Sequence, residues 1–235
     1  MDLSVILPAF NEAEVIQPTI RKIVQFLENK SLTYELIVVD DGSTDQTAER
    51  VLALPLPGLK LLKHQANLGK GAAVQTGMLA ATGGYLLFLD ADYSTAIDNL
   101  DRFLEVLKQS GADIVIASRA LPDSVVGVHQ IKIKENLGRL GNWLIRFFLV
   151  KGIRDTQCGF KLYRRRCLSL FRKQKIKKWG FDFEILFLAQ KQNYKIVELP
   201  VVWQNQPDSK VKLVSYAQTL GELFLIKYND LLNKY

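Results

Sequence analysis

The feature that most constrains the fold of this 235-residue chain is an alternation of short apolar runs with segments of helical periodicity. Five runs predict strands: Leu3–Leu7, Tyr34–Val39, Leu59–Leu62, Tyr85–Leu89 and Asp113–Ala117. Between them, four segments repeat apolar residues at helical spacing: Glu12–Glu28, Thr44–Leu54, Gly71–Ala81 and Ile97–Gln109. This βαβ alternation predicts an α/β fold with a mostly parallel central sheet and helices on both faces.

The composition favours a folded chain, and 235 residues can form one large α/β domain or two small ones. Hydrophobic residues make up 48% of the chain and no low-complexity tract interrupts them, which excludes the disordered class. The apolar pattern of Leu213–Leu232 predicts a C-terminal amphipathic helix. Cys158 and Cys167 lack metal-ligand spacing, so we expect both to be reduced packing residues.

The sequence carries no recognisable export or membrane-spanning segment. Its first residues enter a strand directly, without a basic leader or a cleavable apolar stretch. Apolar runs all fall short of the roughly 20 residues that a membrane-spanning helix needs. We therefore expect a cytoplasmic location.

Positive charge is concentrated in one part of the chain. The segment from Ile131 to Gly180 carries +13, whereas the remainder carries −6 of the total of +7. Such a concentration indicates an anionic partner, namely nucleic acid, a membrane surface or a phosphate-bearing substrate, although a solvated basic face would look the same. Because the chain contains no nucleic-acid recognition motif, we do not expect it to bind nucleic acid.

Carboxylates follow two of the predicted strands. Asp90 and Asp92 come directly after the fourth strand, where they could bind one hard divalent cation and through it a pyrophosphate; a turn or a helix cap is the plainer interpretation. Asp40 and Asp41 follow the second strand and would accept hydrogen bonds from a nucleoside. The sequence therefore predicts a nucleotide site at the carboxyl edge of the sheet.

A glycine-rich loop, Asn67–Gly71, precedes the third helix. It lacks the spacing of a P-loop and has no Ser or Thr after its lysine, which excludes an ATPase of that class. Lys70 could face a phosphate or a base, or could belong to an ordinary helix start.

These motifs in this order resemble family 2 glycosyltransferases with the GT-A fold. The resemblance rests on Leu3–Glu12, Val38–Asp45, Asn67–Gly71, Asp90–Asp92, Ala117–Arg119, Arg154–Lys161, Trp179–Glu184 and Asp208–Lys210. It covers nearly the whole chain and is strongest with the polyprenyl-phosphate sugar synthases, especially the dolichyl-phosphate glucosyltransferase branch. It implies a single Rossmann-like domain over residues 1–235, in which residues 1–120 bind a nucleotide sugar and residues 121–235 form the acceptor side with interfacial helices.

The resemblance implies inverting transfer of a hexose to the phosphate of an isoprenoid lipid. Pro8, Phe10, Glu12 and Asp41 would surround the base and ribose, and Asp90 and Asp92 would hold Mg²⁺ or Mn²⁺ with the diphosphate. Asp155 and Gln157 would hydrogen-bond the sugar. Four cations would bring the two phosphates together: Arg119, Arg139, Lys161 and Lys210.

The acceptor and the sugar stay open. A lipid phosphate is already an oxyanion and needs no general base, whereas a saccharide hydroxyl would need one, for which Asp182 and Glu184 are the candidates; Asp182 also suits a helix start. Tyr93–Thr95 favours UDP-glucose slightly over GDP-mannose as donor.

The basic segment Ile131–Ile153 contains aromatic residues and is amphipathic, which is typical of a helix lying in a membrane interface, or of a core helix with one solvated side. We expect peripheral association with the inner face of a membrane, either through this segment or through an anchoring partner subunit or homo-oligomer.

Overall fold

The computed structural model describes residues 1–127, 141–204 and 213–235. A seven-stranded sheet contains β1 (Leu3–Ala9), β2 (Tyr34–Asp40), β3 (Leu59–Lys63), β4 (Tyr85–Leu89), β5 (Ile114–Ser118), β7 (Phe160–Arg164) and β8 (Ile196–Pro200). The spatial order is β3-β2-β1-β4-β7-β5-β8. A second, two-stranded sheet pairs β6 (Val125–Val126) with β9 (Val202–Trp203) in parallel.

Helices cover both faces of the large sheet, as the alternation predicts. They are α1 (Ile16–Glu28), α2 (Thr47–Leu52), α3 (Lys70–Ala80), α4 (Leu100–Gln109), α5 (residues 141–148), α6 (Leu168–Lys173), α7 (Phe181–Lys191) and α8 (Leu213–Leu231). One buried cluster packs α1, α2 and α4 on the sheet, and the other packs α3 and α5 to α8 on the opposite face. The strands are apolar on both sides because each face is buried.

The predicted elements all form, but three helices begin later than predicted: α2 begins at Thr47 instead of Thr44, and α4 begins at Leu100 instead of Ile97. The first helix, α1, differs most. It begins at Ile16 instead of Glu12, because residues 11–15 form a turn after β1. The predicted C-terminal helix corresponds to α8. Cys158 and Cys167 are buried and free, as expected.

The seven-stranded sheet contains two strands that the alternation did not predict, β7 and β8. β7 lies between β4 and β5 and is antiparallel to both, while the other neighbours are parallel. Its short sequence includes Lys161 and Arg164 and does not look like a buried strand. The insertion brings Gly159 beside Asp90, whose amide donates to the Gly159 carbonyl at 3.0 Å.

A buried carboxylate joins the strands at the other end of the sheet. Glu35 accepts hydrogen bonds from Ser4 Oγ at 2.6 Å, from Lys60 Nζ at 2.7 Å and from the amide and hydroxyl of Thr82 at 2.7 Å each. Burial would raise the pKa of Glu35, but these donors lower it to about 2. Glu35 is therefore ionised in the folded protein at neutral pH.

Across the described ranges, none of the helices has the length and apolarity to cross a membrane. The sheet takes strands from both sides of residue 120, so both parts of the chain contribute to one core. The division of that domain into a donor half and an acceptor half stays a prediction.

Candidate active site

The predicted site lies at the edge of the sheet where β1, β2 and β4 end. Beyond β1, Asn11 has a φ of 55°, and its side-chain oxygen accepts a hydrogen bond from the Thr44 amide at 2.8 Å. The Asn11 amide donates to Ser43 Oγ at 2.9 Å, so the turns after β1 and β2 are held together. Three residues predicted to surround the nucleoside lie here: Pro8 near the end of β1, and Phe10 and Glu12 just after it.

Asp40 and Asp41 are both buried at the end of β2. Asp40 Oδ1 accepts from the Ser43 amide at 2.9 Å, and Lys63 Nζ lies 3.9 Å from Asp40 Oδ2. Asp41 accepts from the Leu68 amide at 3.0 Å and the Gly69 amide at 2.8 Å. Asp41 therefore orders the start of the glycine-rich loop. The predicted nucleoside contacts of these two carboxylates stay a prediction.

His64 is a site residue that the sequence pattern did not identify. Its Nδ1 donates to Asp41 Oδ1 at 2.7 Å, and its Nε2 lies 3.0 Å from Thr76 Oγ1 on α3. In sequence His64 stands 23 residues from Asp41 with no motif around it. Only its position just after β3, whose neighbour in the sheet is β2, could have indicated this contact.

The glycine-rich loop packs against the segment that precedes α7. Gly69 has a φ of +106°, and a Cβ added there would lie 2.6 Å from the Lys177 carbonyl oxygen. That oxygen accepts from the Ala72 amide at 2.9 Å, and Gln174 Nε2 donates to the Gly71 carbonyl at 2.9 Å. The loop thus has a fixed backbone, from which the Lys70 side chain extends into the site.

Lys70 contacts one of the two predicted metal ligands. Its Nζ lies 2.6 Å from Asp90 Oδ1, while Asp92 Oδ1 accepts from the Ser94 amide at 2.9 Å. Burial would lower the pKa of Lys70, but Asp90 and then Asp182 raise it, so the ammonium stays charged. The pKa of Asp92 is raised by burial and then by Asp90. The two carboxylates therefore favour a cation at the end of β4, and the Lys70 ammonium occupies that position.

A second acid and base pair joins Arg119, just after β5, to Asp155. Arg119 Nε and Nη2 donate to the two Asp155 oxygens at 2.7 and 2.9 Å, and the Arg119 amide also donates to Oδ2 at 2.9 Å. Burial would raise the pKa of Asp155, but the guanidinium lowers it to about 2. The same guanidinium lies 5.3 Å from the centre of the Trp203 ring. The Arg119 guanidinium therefore binds Asp155 in this conformation.

A third pair is enclosed in the core. Lys161 Nζ donates to Asp182 Oδ1 at 2.5 Å and to the Cys158 carbonyl at 2.6 Å, and the Lys161 side chain has no exposed surface. Asp182 lies in the first turn of α7, as the helix-start interpretation predicts. Burial raises its pKa and Lys161 opposes that rise. Lys161 therefore neutralises Asp182 and has no open path to a ligand in this conformation.

Glu184, the other base candidate, is a buried structural acceptor. It accepts from the Lys175 and Ile176 amides and from the Tyr235 hydroxyl, the last at 2.6 Å. Gln157 is half-buried beside Asp155, and its backbone N–H donates to Asp155 Oδ1 at 3.2 Å. Arg139 and Lys210 lie outside the described residues.

The donor set fits a hard divalent cation. Mg²⁺ in proteins is usually held by one or two carboxylates together with phosphate oxygens and water. Asp90 and Asp92 supply two carboxylates at the strand end, and the ammonium of Lys70 already neutralises one of them. In the part of the chain described, three or more His, Cys, Asp or Glu side chains do not converge on a metal position.

Comparison with known proteins gives consistent matches. Residues 4–171 match the family described as Glycosyl transferase family 2. A dolichyl-phosphate beta-glucosyltransferase of Trichomonas vaginalis is 39% identical over 88% of this chain, which spans 65% of that protein's length. The enzymes of that name from Dictyostelium discoideum and Saccharomyces cerevisiae are 36% and 32% identical over 98% and 99% of the chain, and the chain covers 75% and 76% of them.

Solved structures support the fold. Glucosyl-3-phosphoglycerate synthase from Mycobacterium tuberculosis in complex with UDP superposes with a TM-score of 0.69 at 20% identity, covering 96% of this chain and 79% of that chain. Its complex with Mn²⁺, UDP-glucose and phosphoglyceric acid gives a TM-score of 0.68 at 20% identity, with the same coverage. The predicted GT-A fold is confirmed by these neighbours.

Proposed function

The chain belongs to glycosyl transferase family 2, and on that premise we propose that it transfers glucose from UDP-glucose to a polyprenyl or dolichyl phosphate. The observation that carries this proposal is the 32% to 39% identity to dolichyl-phosphate beta-glucosyltransferases over most of the chain. The solved neighbours that bind UDP-glucose with Mn²⁺, or UDP with Mg²⁺, support a nucleotide donor and a divalent metal.

On the donor side, Asp90 and Asp92 would hold Mg²⁺ or Mn²⁺ together with the diphosphate. When bound, the metal would take up negative charge that develops on the leaving nucleoside diphosphate. The nucleoside would lie on the turns after β1 and β2, among the side chains predicted for it: Pro8, Phe10, Glu12, Asp40 and Asp41. Asp155 and Gln157 would orient the glucose hydroxyls.

The reaction exchanges one bond at the anomeric carbon. An oxygen of the lipid phosphate attacks that carbon from the face opposite the diphosphate, the bond to the diphosphate oxygen breaks, and UDP leaves with inversion. Because the attacking phosphate oxygen is already anionic, the chain has to orient it and offset charge instead of removing a proton. Arg119, directly after β5, supplies one cation for this purpose, and Arg139 and Lys210 are the other proposed phosphate ligands.

Transfer assays test the proposal directly. The chain is incubated with radiolabelled UDP-glucose, Mn²⁺ or Mg²⁺, and dolichyl or undecaprenyl phosphate, and label extracted into organic solvent is counted. Asp92→Asn should abolish transfer, whereas Asp98→Asn, at an exposed aspartate six residues further on, should not. If none of the nucleotide hexoses tested gives labelled lipid, the proposed function is refuted. Transfer from GDP-mannose in preference to UDP-glucose, or to a saccharide hydroxyl, would reassign the donor or the acceptor.

We further propose that α5 brings the site to a membrane surface. Trp143 and Phe147 are 56% and 65% exposed, and their rings stack at 5.6 Å. They line a hollow of about 260 Å³ together with Arg146, Lys151 and Gly152. Exposed aromatic rings beside cationic side chains suit the boundary between headgroups and acyl chains.

Vesicle sedimentation measures this contact. Trp143→Ser with Phe147→Ser should reduce binding to anionic vesicles, whereas Leu52→Ser, at a 70% exposed leucine on the opposite face of the sheet, should leave it unchanged. Equal binding by the aromatic variant and the wild type would exclude α5 as the membrane contact.

A further inference from the structure

Lys70 occupies a cation position in front of the carboxylate pair. Its Nζ lies 2.6 Å from Asp90 Oδ1, and about a fifth of its side chain is exposed. The ammonium also lies 5.3 Å from the centre of the Phe88 ring and 5.8 Å from that of Trp179. The two aromatic rings and the carboxylate together define a place for one positive charge.

The backbone of Lys70 is fixed, so only its side chain can move. It is the first residue of α3 and follows Gly69, whose amide donates to buried Asp41. The first turn of that helix is also held by the Lys177 carbonyl, which accepts from the Ala72 amide. A lysine anchored in this way can turn its ammonium between two neighbouring anions without a change in the loop.

Among the three cations paired with Asp90, Asp155 and Asp182, Lys70 is held least firmly. Lys161 is fully enclosed with Asp182, and Arg119 is fixed to Asp155 by two side-chain bonds and one backbone bond. Lys70 is partly open to solvent, and its ammonium forms an ion pair with the Asp90 carboxylate. Release of Lys70 therefore disturbs the least structure.

We propose that Lys70 is an internal cation that neutralises Asp90 before the donor binds and moves to the donor diphosphate when Asp90 ligates the divalent metal. The exchange presupposes the proposed nucleotide-sugar chemistry and adds a coupling device to it. A metal that enters alone must displace the ammonium from Asp90. The other two carboxylates that act on Lys70 are then engaged, because Asp182 is paired with Lys161 and Asp92 would ligate the metal. A metal that enters with a diphosphate gives the ammonium a new partner, so each ligand should strengthen the binding of the other.

The test is a titration of Mn²⁺ followed by electron paramagnetic resonance, without and with saturating UDP. Lys70→Met removes the charge and keeps an apolar stem between the two rings. In this variant the affinity for Mn²⁺ alone should rise by about tenfold, within the usual range for coupling between two ligands, and the enhancement of Mn²⁺ affinity by UDP should fall by a similar factor. Lys70→Arg keeps the charge and should preserve both the weak binding of Mn²⁺ alone and a measurable enhancement.

Lys191→Met is the matched control, since Lys191 pairs with Asp230 at the end of α7 remote from Asp182. It should leave both Mn²⁺ affinities unchanged. An unchanged or weaker affinity of Lys70→Met for Mn²⁺ alone overturns the proposal, and so does an undiminished enhancement by UDP. Failure of the proposed function would appear separately, as a wild type that binds Mn²⁺ and UDP but transfers no glucose to lipid phosphate.

Discussion

Gly159 offers a way to displace the Asp90 carboxylate without changing any charge. β7 brings Gly159 against the end of β4, and a Cβ added to Gly159 would lie 1.8 Å from Asp90 Oδ2 and 2.1 Å from Asp90 Cγ. Gly159 does not have a positive φ, so alanine can adopt its backbone conformation without strain. The substitution Gly159→Ala therefore acts on the position of Asp90.

The size of the effect follows from that contact. Cβ contacts under 3.0 Å essentially do not occur, so the carboxylate must shift by more than 1 Å. A misplacement of about 1 Å at a reacting centre costs about 10²-fold in rate, equivalent to about 2.7 kcal/mol of transition-state stabilisation. The Asp90 side chain is 25% exposed and can rotate toward solvent, so the free energy of unfolding should fall by only about 1 kcal/mol.

The assay compares kcat/KM for glucose transfer, Mn²⁺ affinity in the presence of UDP, and Tm. Gly221→Ala is the matched control, because an added Cβ there meets no atom within 4 Å and the residue lies inside α8. It should keep full activity and stabilise the chain by up to about 1 kcal/mol. Wild-type kcat/KM and Mn²⁺ affinity in Gly159→Ala would refute the assignment of Asp90. Loss of activity only in proportion to unfolded protein would refute the steric reasoning.

Three further predictions concern buried groups. Glu35 should contribute about 3 kcal/mol of stability that is lost as the pH drops from about 4.5 toward 2, because its carboxylate takes up a proton first in the unfolded chain; Glu35→Gln should remove this share of the pH dependence in urea titrations and leave the share from Asp155, whose pKa is also lowered to about 2. Lys161→Met leaves Asp182 buried without its cation and should cost about 3 to 5 kcal/mol, whereas Lys161→Met with Asp182→Leu should recover most of that loss in thermal melts. Tyr235→Phe removes a donor from buried Glu184 and should cost about 1 to 3 kcal/mol in urea unfolding; an unchanged midpoint would contradict this contact.

The Lys161 and Asp182 pair also affects how the acceptor is identified. Asp182→Asn is the natural test for a general base, yet it removes the partner of a fully buried lysine. A loss of turnover in that variant could arise from a distorted core. The chemical test is therefore the identity of the labelled product, with kinetics of Asp182→Asn interpreted only alongside its Tm.

The sheet could largely be predicted because its determinants are local. Each of the five predicted strands is a short apolar run, and each helix between them repeats apolar residues at its own period. Parallel strands also gather their carboxyl ends at one edge, which is why Asp40, Asp41, Asp90 and Asp92 could be assigned to one site before any contact was known. β7 and β8 escaped prediction because their short runs contain charged residues, Lys161 and Arg164 in β7 and Glu198 in β8.

By itself, the sequence determined the α/β class, the edge of the sheet at which carboxylates gather, and the ordered motifs of the family. Only the tertiary structure decided which acidic side chain pairs with which basic side chain. The pairs of Lys70 with Asp90, Arg119 with Asp155 and Lys161 with Asp182 join residues that are 20, 36 and 21 positions apart. Such pairs depend on the register of neighbouring strands and on the enclosure of side chains, because burial makes an unpaired charge costly and so selects its partner in space.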